Sequence, residues 1–489
     1  MTTFLPEVFV SNAILAPRVS RDLKRGLLRK LGSRVYTTNL TESEELLVRR
    51  HAWFIVKELF PGSVIVDRTA LEHRPAKDGS IFIVSKKKKA VLLPGLLIYP
   101  RRGAGPLEED KPFMEMLYLS CPARAYLENL CQRRMRKGNV SRTLSRKEIE
   151  ERLEMLLQGA GSDALGALRD EAKRISTRLK LEREYKILDG LIGTLLGTRN
   201  APIISSMANA RRQGLPYDPK RLDLFQKLYE SLASISTPDR FINHSGSSLP
   251  FFEAYFSNFI EGTEFQVEEA AEIIFHGKIP KNRPKDAHDI LATYHLTSDA
   301  IEMKKYPKNE DELIVILKRR HAILMQGRPE VRPGEFKTVL NQAGSTLFVA
   351  PDLVEGTLRK GFQWLQGLIT PFQRAVYMMF LIAEVHPFAD GNGRCARIMM
   401  NAELVAADQA RMIIPTVFRS NYLLALKALT HQARPDALIR TLDFAQKYTS
   451  LIDWSDFKKA ESMLLATHAF EDSNTAELIG HRLVLPLMH

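Results

Sequence analysis

Cysteine is scarce: the 489-residue chain has three, Cys121, Cys131 and Cys395. They are too few and too scattered for a disulfide framework, and none has zinc-ligand spacing. A reducing, intracellular and cytoplasmic setting is expected. Long apolar runs are also missing. The longest uncharged apolar stretch, Ala90 to Pro100, is too short to span a bilayer and contains Pro94. The N-terminus, MTTFLPEVFV, lacks the positive head and apolar core of a secretory signal. No internal repeat and no extended low-complexity tract is present. With 45% hydrophobic and 26% charged residues, the composition excludes a disordered or collagen-like chain. The length predicts about two to four domains.

What is abundant is positive charge, and its placement matters more than its size. The net charge is +13. Residues 1–240 hold 43 lysines and arginines against 28 acidic residues, whereas residues 241–489 hold 27 against 29. The whole excess lies in the first half. That asymmetry points to an arm for phosphate backbones or acidic partners, against a solvated basic surface as the alternative.

Residues 1–120 predict a basic α+β domain. Val64–Val66, Ile81–Val84 and Leu96–Tyr99 are short apolar runs between turn residues and read as strands. Lys86–Lys89 lies between two of them, as a charged turn or edge. From Cys121 to about residue 240 the pattern is helical. Ser145 and Glu148 form a capping box, and Leu153, Leu156 and Leu157 follow at helical spacing. Gly197–Pro219 is loop-like, and a helix covers Leu222–Leu232. Ser236–Pro250 reads as a linker and the main domain boundary. Beyond residue 250 the chain is predicted mainly helical, with one β-hairpin through Lys337–Leu340 and Thr346–Val349, bending near Gly344.

The segment with chemical content is HPFADGNGRCAR, His386 to Arg397. The helix before it has Thr370 as N-cap, Pro371 at its first position and Gln373 three residues after the cap. Its interior, Ala375–Ala383, is apolar all round, as in a buried central helix. Pro387 ends it, which puts His386 at the rim of a buried scaffold. Asp390 to Gly393 form a tight turn, and a second helix is expected from about Arg394. Glycines let backbone approach a ligand, and a helix start offers free amides to phosphate. Arg394 and Arg397 share one helix face and can grip phosphate oxygens. Asp390 is the ligand type magnesium uses beside phosphates, and His386 is a candidate base. Singly, each of these residues is more often structural; nine specified positions in order within twelve residues are not.

This run resembles the signature of the Fic (Fido) family, His-Pro-Phe-x-Asp/Glu-Gly-Asn-Gly-Arg-x-x-Arg. It matches at His386, Pro387, Phe388, Asp390, Gly391, Asn392, Gly393, Arg394 and Arg397. The similarity spans about residues 250–465, including Pro333–Phe336 and, more weakly, Ile452–Trp454. It implies an all-helical core with a hairpin flap, and transfer of AMP from Mg-ATP to a Ser, Thr or Tyr hydroxyl of a target protein. By that resemblance His386 is the base and Asp390 holds Mg2+. Asn392 and the amides around Gly391 and Gly393 form an anion hole. Arg394 contacts the phosphates, Arg397 pairs with the γ-phosphate, and Phe388 anchors the loop. The flap would align the target by strand addition, although its tip, Asn341–Gly344, has fewer glycines than expected. Gly393 favours nucleotidyl transfer over the phosphate transfer of the Doc branch. Phosphocholine transfer stays open.

Ser257 and Glu261, followed by Gly262, resemble the family's inhibitory motif, Ser/Thr-x-x-x-Glu-Gly/Asn. The resemblance implies that Glu261 occupies Arg397 and misplaces the γ-phosphate of ATP. The expected organisation is thus a domain over 1–120, a helical extension over 121–240, an inhibitory helix within 250–275, the catalytic domain over 276–465 and a tail over 466–489. A homodimer is among the expected assemblies. Two rival readings are AMP removal, alone or alongside transfer, and a DNA-binding regulator with a nucleotide-sensing core. Sensing alone needs no proton acceptor, which counts against the latter. Near the N-terminus Arg21, Lys24, Arg25, Arg29 and Lys30 precede Gly32–Tyr36. They predict a basic helix leading into a strand, similar to the end of the winged-helix element of AbiEi-type antitoxin regulators and suited to DNA phosphates, with a structural domain that positions or regulates the core as the equal alternative.

Overall fold

The computed structural model describes residues 5–131, 140–242, 246 and 248–486. It divides into two compact units, residues 1–212 and 213–489. The first four residues and part of the 236–250 segment lie outside the described residues, as do the last three of the tail. Among the described residues no helix is long and apolar enough to cross a membrane.

The first unit is α+β, as expected. Strands β1 (Val8–Val10), β2 (Arg29–Gly32) and β3 (Val35–Thr37) form an antiparallel sheet in the order β1-β3-β2. Helix α1 (Ala16–Lys24) precedes β2. The predicted basic helix is therefore α1, but Arg29 and Lys30 stand on β2, because Gly26 at φ +71° turns the chain out of the helix. A second sheet contains β4 (Ser63–Ile65), β5 (Ser80–Val84), β6 (Val91–Leu93), β7 (Leu96–Arg101), β8 (Lys111–Met114) and β9 (Leu117–Leu119). Its order is β6-β7-β5-β4-β9-β8. β5 is buried at every residue, consistent with its unbroken apolar run. Lys86–Lys89 lies in the loop leading to edge strand β6.

Helices α2 (Pro122–Leu130), α3 (Arg146–Leu179) and α4 (Glu182–Leu195) also belong to this unit. The Ser145–Glu148 capping box is present. No domain boundary falls near residue 120. Arg124 of α2 is fully buried and pairs with Asp110 at 2.6 Å and Glu128 at 3.1 Å. Arg101 pairs with buried Asp67 at 3.0 Å and with Glu128 at 2.9 Å. Breaking such a buried network leaves uncompensated charges, so strands and helices here form one body.

The second unit begins earlier than its sequence suggests. Helix α5 (Pro219–Ala233) buries Phe225, Leu228 and Leu232 against the core of residues 213–489, and Gln373 Nε2 donates to the Leu232 carbonyl at 2.9 Å. The predicted boundary at 236–250 is accordingly displaced to 212/213. Helices α6 (Ser248–Ile260), α7 (Pro284–Ser298), α8 (Glu310–Leu324) and α9 (Val354–Leu365) follow. Then come α10 (Pro371–Val385), α11 (Asn392–Val405), α12 (Arg419–Gln432) and α13 (Asp436–Leu451). α10 starts with the predicted Thr370–Gln373 capping box and Pro371, is buried over nearly its whole length, and packs along α11. The hairpin is shorter than predicted: β10 (Gln342–Ala343) pairs with β11 (Thr346–Leu347). Lys337–Leu340 form no strand. Lys337 is instead drawn inward, its amide donating to the Pro387 carbonyl at 2.9 Å.

Candidate active site at the α10–α11 turn

The turn joining α10 to α11 holds the whole motif. His386 caps α10 in the left-handed conformation, at φ +52°. α11 begins at Asn392, two residues earlier than expected, because Gly391 serves as its N-cap at φ +73°. A Cβ at Gly391 would lie 2.6 Å from Met325 Sδ, so glycine is required there twice over. The first α11 hydrogen bond runs from the Cys395 amide to the Gly391 carbonyl. The amides of Asn392, Gly393 and Arg394 precede it and carry the positive end of the helix dipole.

His386 is held on two sides. Its Nδ1 lies 3.2 Å from the Ala383 carbonyl, and its ring stacks on Phe348 at 3.8 Å and 6°. Nδ1 therefore carries the proton and Nε2 the free lone pair. Burial pushes the imidazole pKa down to about 4, which keeps that lone pair available at neutral pH.

The turn is braced by residues far away in sequence. Phe388 is fully buried and stacks on His321 at 3.6 Å. Gly334 donates its amide to His321 Nδ1 at 2.9 Å, so His321 Nε2 donates to the Asp390 carbonyl at 3.0 Å. Burial likewise depresses His321 to about 4. Asn392 accepts from the Phe388 amide at 2.8 Å and donates to its carbonyl at 2.9 Å. Its side chain thus ties the two ends of the loop together, beside the free backbone amides of the helix start. Asp390 Oδ1 accepts from the Gly391 amide at 2.6 Å, and the residue is exposed. An exposed carboxylate beside three helix-start amides fits a magnesium-bound phosphate chain.

The two arginines differ in their partners. Arg394 is buried, 2.8 Å from Asp289 Oδ2, and its Nε has no hydrogen-bond partner. Arg397 is also buried. Its Nε donates to Ser257 Oγ at 3.0 Å, and its Nη2 donates to the Ser257 carbonyl at 2.8 Å and to Glu261 Oε1 at 2.7 Å. Burial opposes the Arg397 charge, but Glu261 beside it outweighs that and raises its pKa. Ser257 and Glu261 lie at the C-terminal end of α6, which breaks at Gly262 with φ +87°. A Cβ at Gly393 would stand 2.1 Å from Glu261 Oε1, so the bare backbone there makes room for the carboxylate.

The predicted site residues therefore come together. Those not foreseen are His321, Asn341, Lys337, Phe348 and Asp289. Lys337 is buried, its Nζ donates to Asn341 Oδ1 at 2.6 Å, and Asn341 donates to the Phe388 carbonyl at 2.9 Å. Burial, with Arg221 adding to it, lowers Lys337 to about 7. Only Lys337 had a local signal, as a lone basic residue just after Pro333–Phe336.

Residues 314–404 match the model of the Fic/DOC family. The chain is 24% identical over 268 residues to Protein adenylyltransferase Fic of Drosophila persimilis, covering 53% of this chain and 52% of the relative. It is also 24% identical over 268 residues to the Drosophila melanogaster protein of that name, covering 53% and 54%. The chain spans about half the length of the curated relatives it matches. Among solved structures, a Fic domain containing signaling protein from Bacteroides thetaiotaomicron aligns with 18% identity and a TM-score of 0.36, covering 49% of this chain and 97% of that one. Fic-1 from C. elegans aligns with 17% identity and a TM-score of 0.35, covering 67% and 95%. The HPFADGNGRCAR turn lies inside the segment, residues 314–404, that matches the Fic/DOC family model.

Proposed function

We propose that this chain transfers AMP from Mg-ATP to a Ser, Thr or Tyr hydroxyl of a protein, and that Glu261 restrains it. The observation that carries this reading is a neutral imidazole with its Nε2 lone pair available, fixed on the same turn as the three free amides of α11. Nε2 of His386 takes the hydroxyl proton as that oxygen bonds to the α-phosphorus. The bond from the α-phosphorus to its bridging oxygen breaks, and pyrophosphate leaves. The amides of Asn392, Gly393 and Arg394 stabilise the charge that develops on the phosphate oxygens. Asp390 would hold Mg2+, which neutralises phosphate charge when bound.

Arg397 is the group suited to the γ-phosphate. With its Nη2 on Glu261 and its Nε on Ser257, it cannot orient that phosphate, and the α-phosphorus is not held in line for attack. Mass spectrometry of the Glu261→Gly chain after incubation with ATP and magnesium is expected to show a gain of one adenylate through self-modification. His386→Ala in the same background should reduce it about 10²–10⁴-fold, the worth of a general base. Undiminished adenylation would remove His386 from its role.

We also propose that α1 contacts nucleic-acid phosphates. Arg21, Lys24 and Arg25 cluster at its C-terminal end, and Val19 is its one buried residue. Duplex DNA binding should weaken steeply with salt, and a gel-shift titration with no retardation at low salt would refute it.

A further inference from the structure

Away from the turn, one other cluster of side chains has the chemistry of a ligand set. Helix α14 (Phe457–Ala466) is followed by His468, held at φ +64°, and then by Phe470 and Glu471. Helix α15 (Ser473–Ile479) ends at Gly480, and His481 returns to the start of the segment. His468 Nδ1 lies 2.7 Å from Glu471 Oε1, and His481 Nδ1 lies 2.9 Å from Oε2. The two rings are 4.2 Å apart. One ligand atom from each of the three residues falls within 4.8 Å of the others.

We propose that His468, Glu471 and His481 form a binding site for a divalent transition-metal ion, with zinc the best fit. Without an ion, the arrangement is explained by two imidazole N–H groups sharing one carboxylate. The same atoms suit a cation when each neutral imidazole carries its proton on Nε2 and presents a bare Nδ1. Zinc binds His nitrogen and carboxylate oxygen at about 2.0–2.2 Å in a tetrahedron, which sets ligand atoms about 3.4 Å apart. The two His–Glu pairs, at 2.7 and 2.9 Å, need only open by about 0.5–0.7 Å, within the same side-chain directions. Two imidazoles in three ligands favour zinc and its neighbours over magnesium or calcium, which take oxygen. The side chains of His468, Glu471 and His481 are 32%, 34% and 42% exposed, so water can reach a fourth position.

The placement gives such an ion a consequence. Phe470, between two of the ligands, packs on Phe256 of α6 at 5.3 Å and on Tyr255 at 5.8 Å. Ser257, the next residue of α6, accepts from Arg397. An ion here fastens the loop that buttresses the helix bearing Glu261. The site stands on its own geometry, whether or not the chain transfers AMP.

The test is isothermal titration of ZnCl2 into the full-length chain, purified without a histidine tag and stripped with chelator. The expected result is one Zn2+ per chain and a raised melting temperature. Losing only the outer hydrogen-bond partner of a ligand weakens binding about 10–100-fold. His468→Ala, His481→Ala and Glu471→Gln, each of which removes a ligand, should each lose at least that much. Glu471→Gln preserves side-chain shape, and an unchanged circular-dichroism spectrum without zinc excludes misfolding as the cause of lost binding. Asp390→Ala should bind zinc as the wild type does. No uptake by the wild type, equal uptake by the three variants, or loss confined to Asp390→Ala would each overturn the proposal.

Discussion

In the proposed transfer the base is His386, and desolvation sets its protonation. Burial, with the Lys337 charge adding to it, holds its pKa at about 4, well below the usual 6.5 or so. A base must be unprotonated to act, so the transfer activity of the Glu261→Gly chain should be flat on the acid side down to about pH 5. It should then fall with a midpoint near 4. A limb centred near 6.5 in the pH–rate profile would mean that the working imidazole is solvated and differently placed. The same depression bears on stability. His386 and His321 are both neutral when folded and both bind a proton near pH 6.5 when unfolded. The folded state is therefore fully favoured by these groups above about pH 6.5, and loses that contribution as pH falls towards 4.

At the scale of elements, α6 matters because of how it ends. Gly262 sits at φ +87° immediately after Glu261, a conformation that costs a residue with a Cβ about 1–2 kcal/mol. Gly262→Ala should lower unfolding stability by about that much in urea titration and shift the turn that aims Glu261. Its adenylation should rise towards that of Glu261→Gly; unchanged adenylation with lowered stability would show that the turn does not aim the carboxylate. The elements also show what a sequence can reveal. The Thr370–Gln373 cap, the buried α10 and the order of motif residues around the turn are local patterns, and they were legible. The S-x-x-x-E-G end of α6 was legible only through family resemblance, since its partner Arg397 is 136 residues away. The hairpin was overdrawn because alternation in Lys337–Leu340 looks like a strand, whereas the Lys337 chain is buried against the turn. His321 left no trace, because its two hydrogen bonds are to backbone of Gly334 and Asp390.

At the scale of the molecule, the two units divide where buried surface divides, not where polar residues cluster. The 236–250 segment has linker composition, yet α5 before it carries Phe225, Leu228 and Leu232 into the core of the second unit. Arg221 of α5 also pairs with Glu384 of α10 and donates to the Leu347 carbonyl of the hairpin. A chain beginning at residue 213 should melt cooperatively, whereas one beginning at residue 240 should be destabilised by about 3–5 kcal/mol or more, the cost of losing even one buried Phe. Equal melting of the two would place α5 outside the core.

The contact between Glu261 and Arg397 is proposed to hold back a competent adenylate-transfer site. The most direct measurement compares label incorporation from α-labelled and γ-labelled ATP by the wild-type and Glu261→Gly chains at neutral pH with magnesium. Freeing Arg397 should raise incorporation of the α-label by at least about ten-fold, equivalent to about 1.4 kcal/mol of transition-state stabilisation, with no incorporation of the γ-label. Equal α-label in the two chains, or transfer of the γ-label, would contradict it.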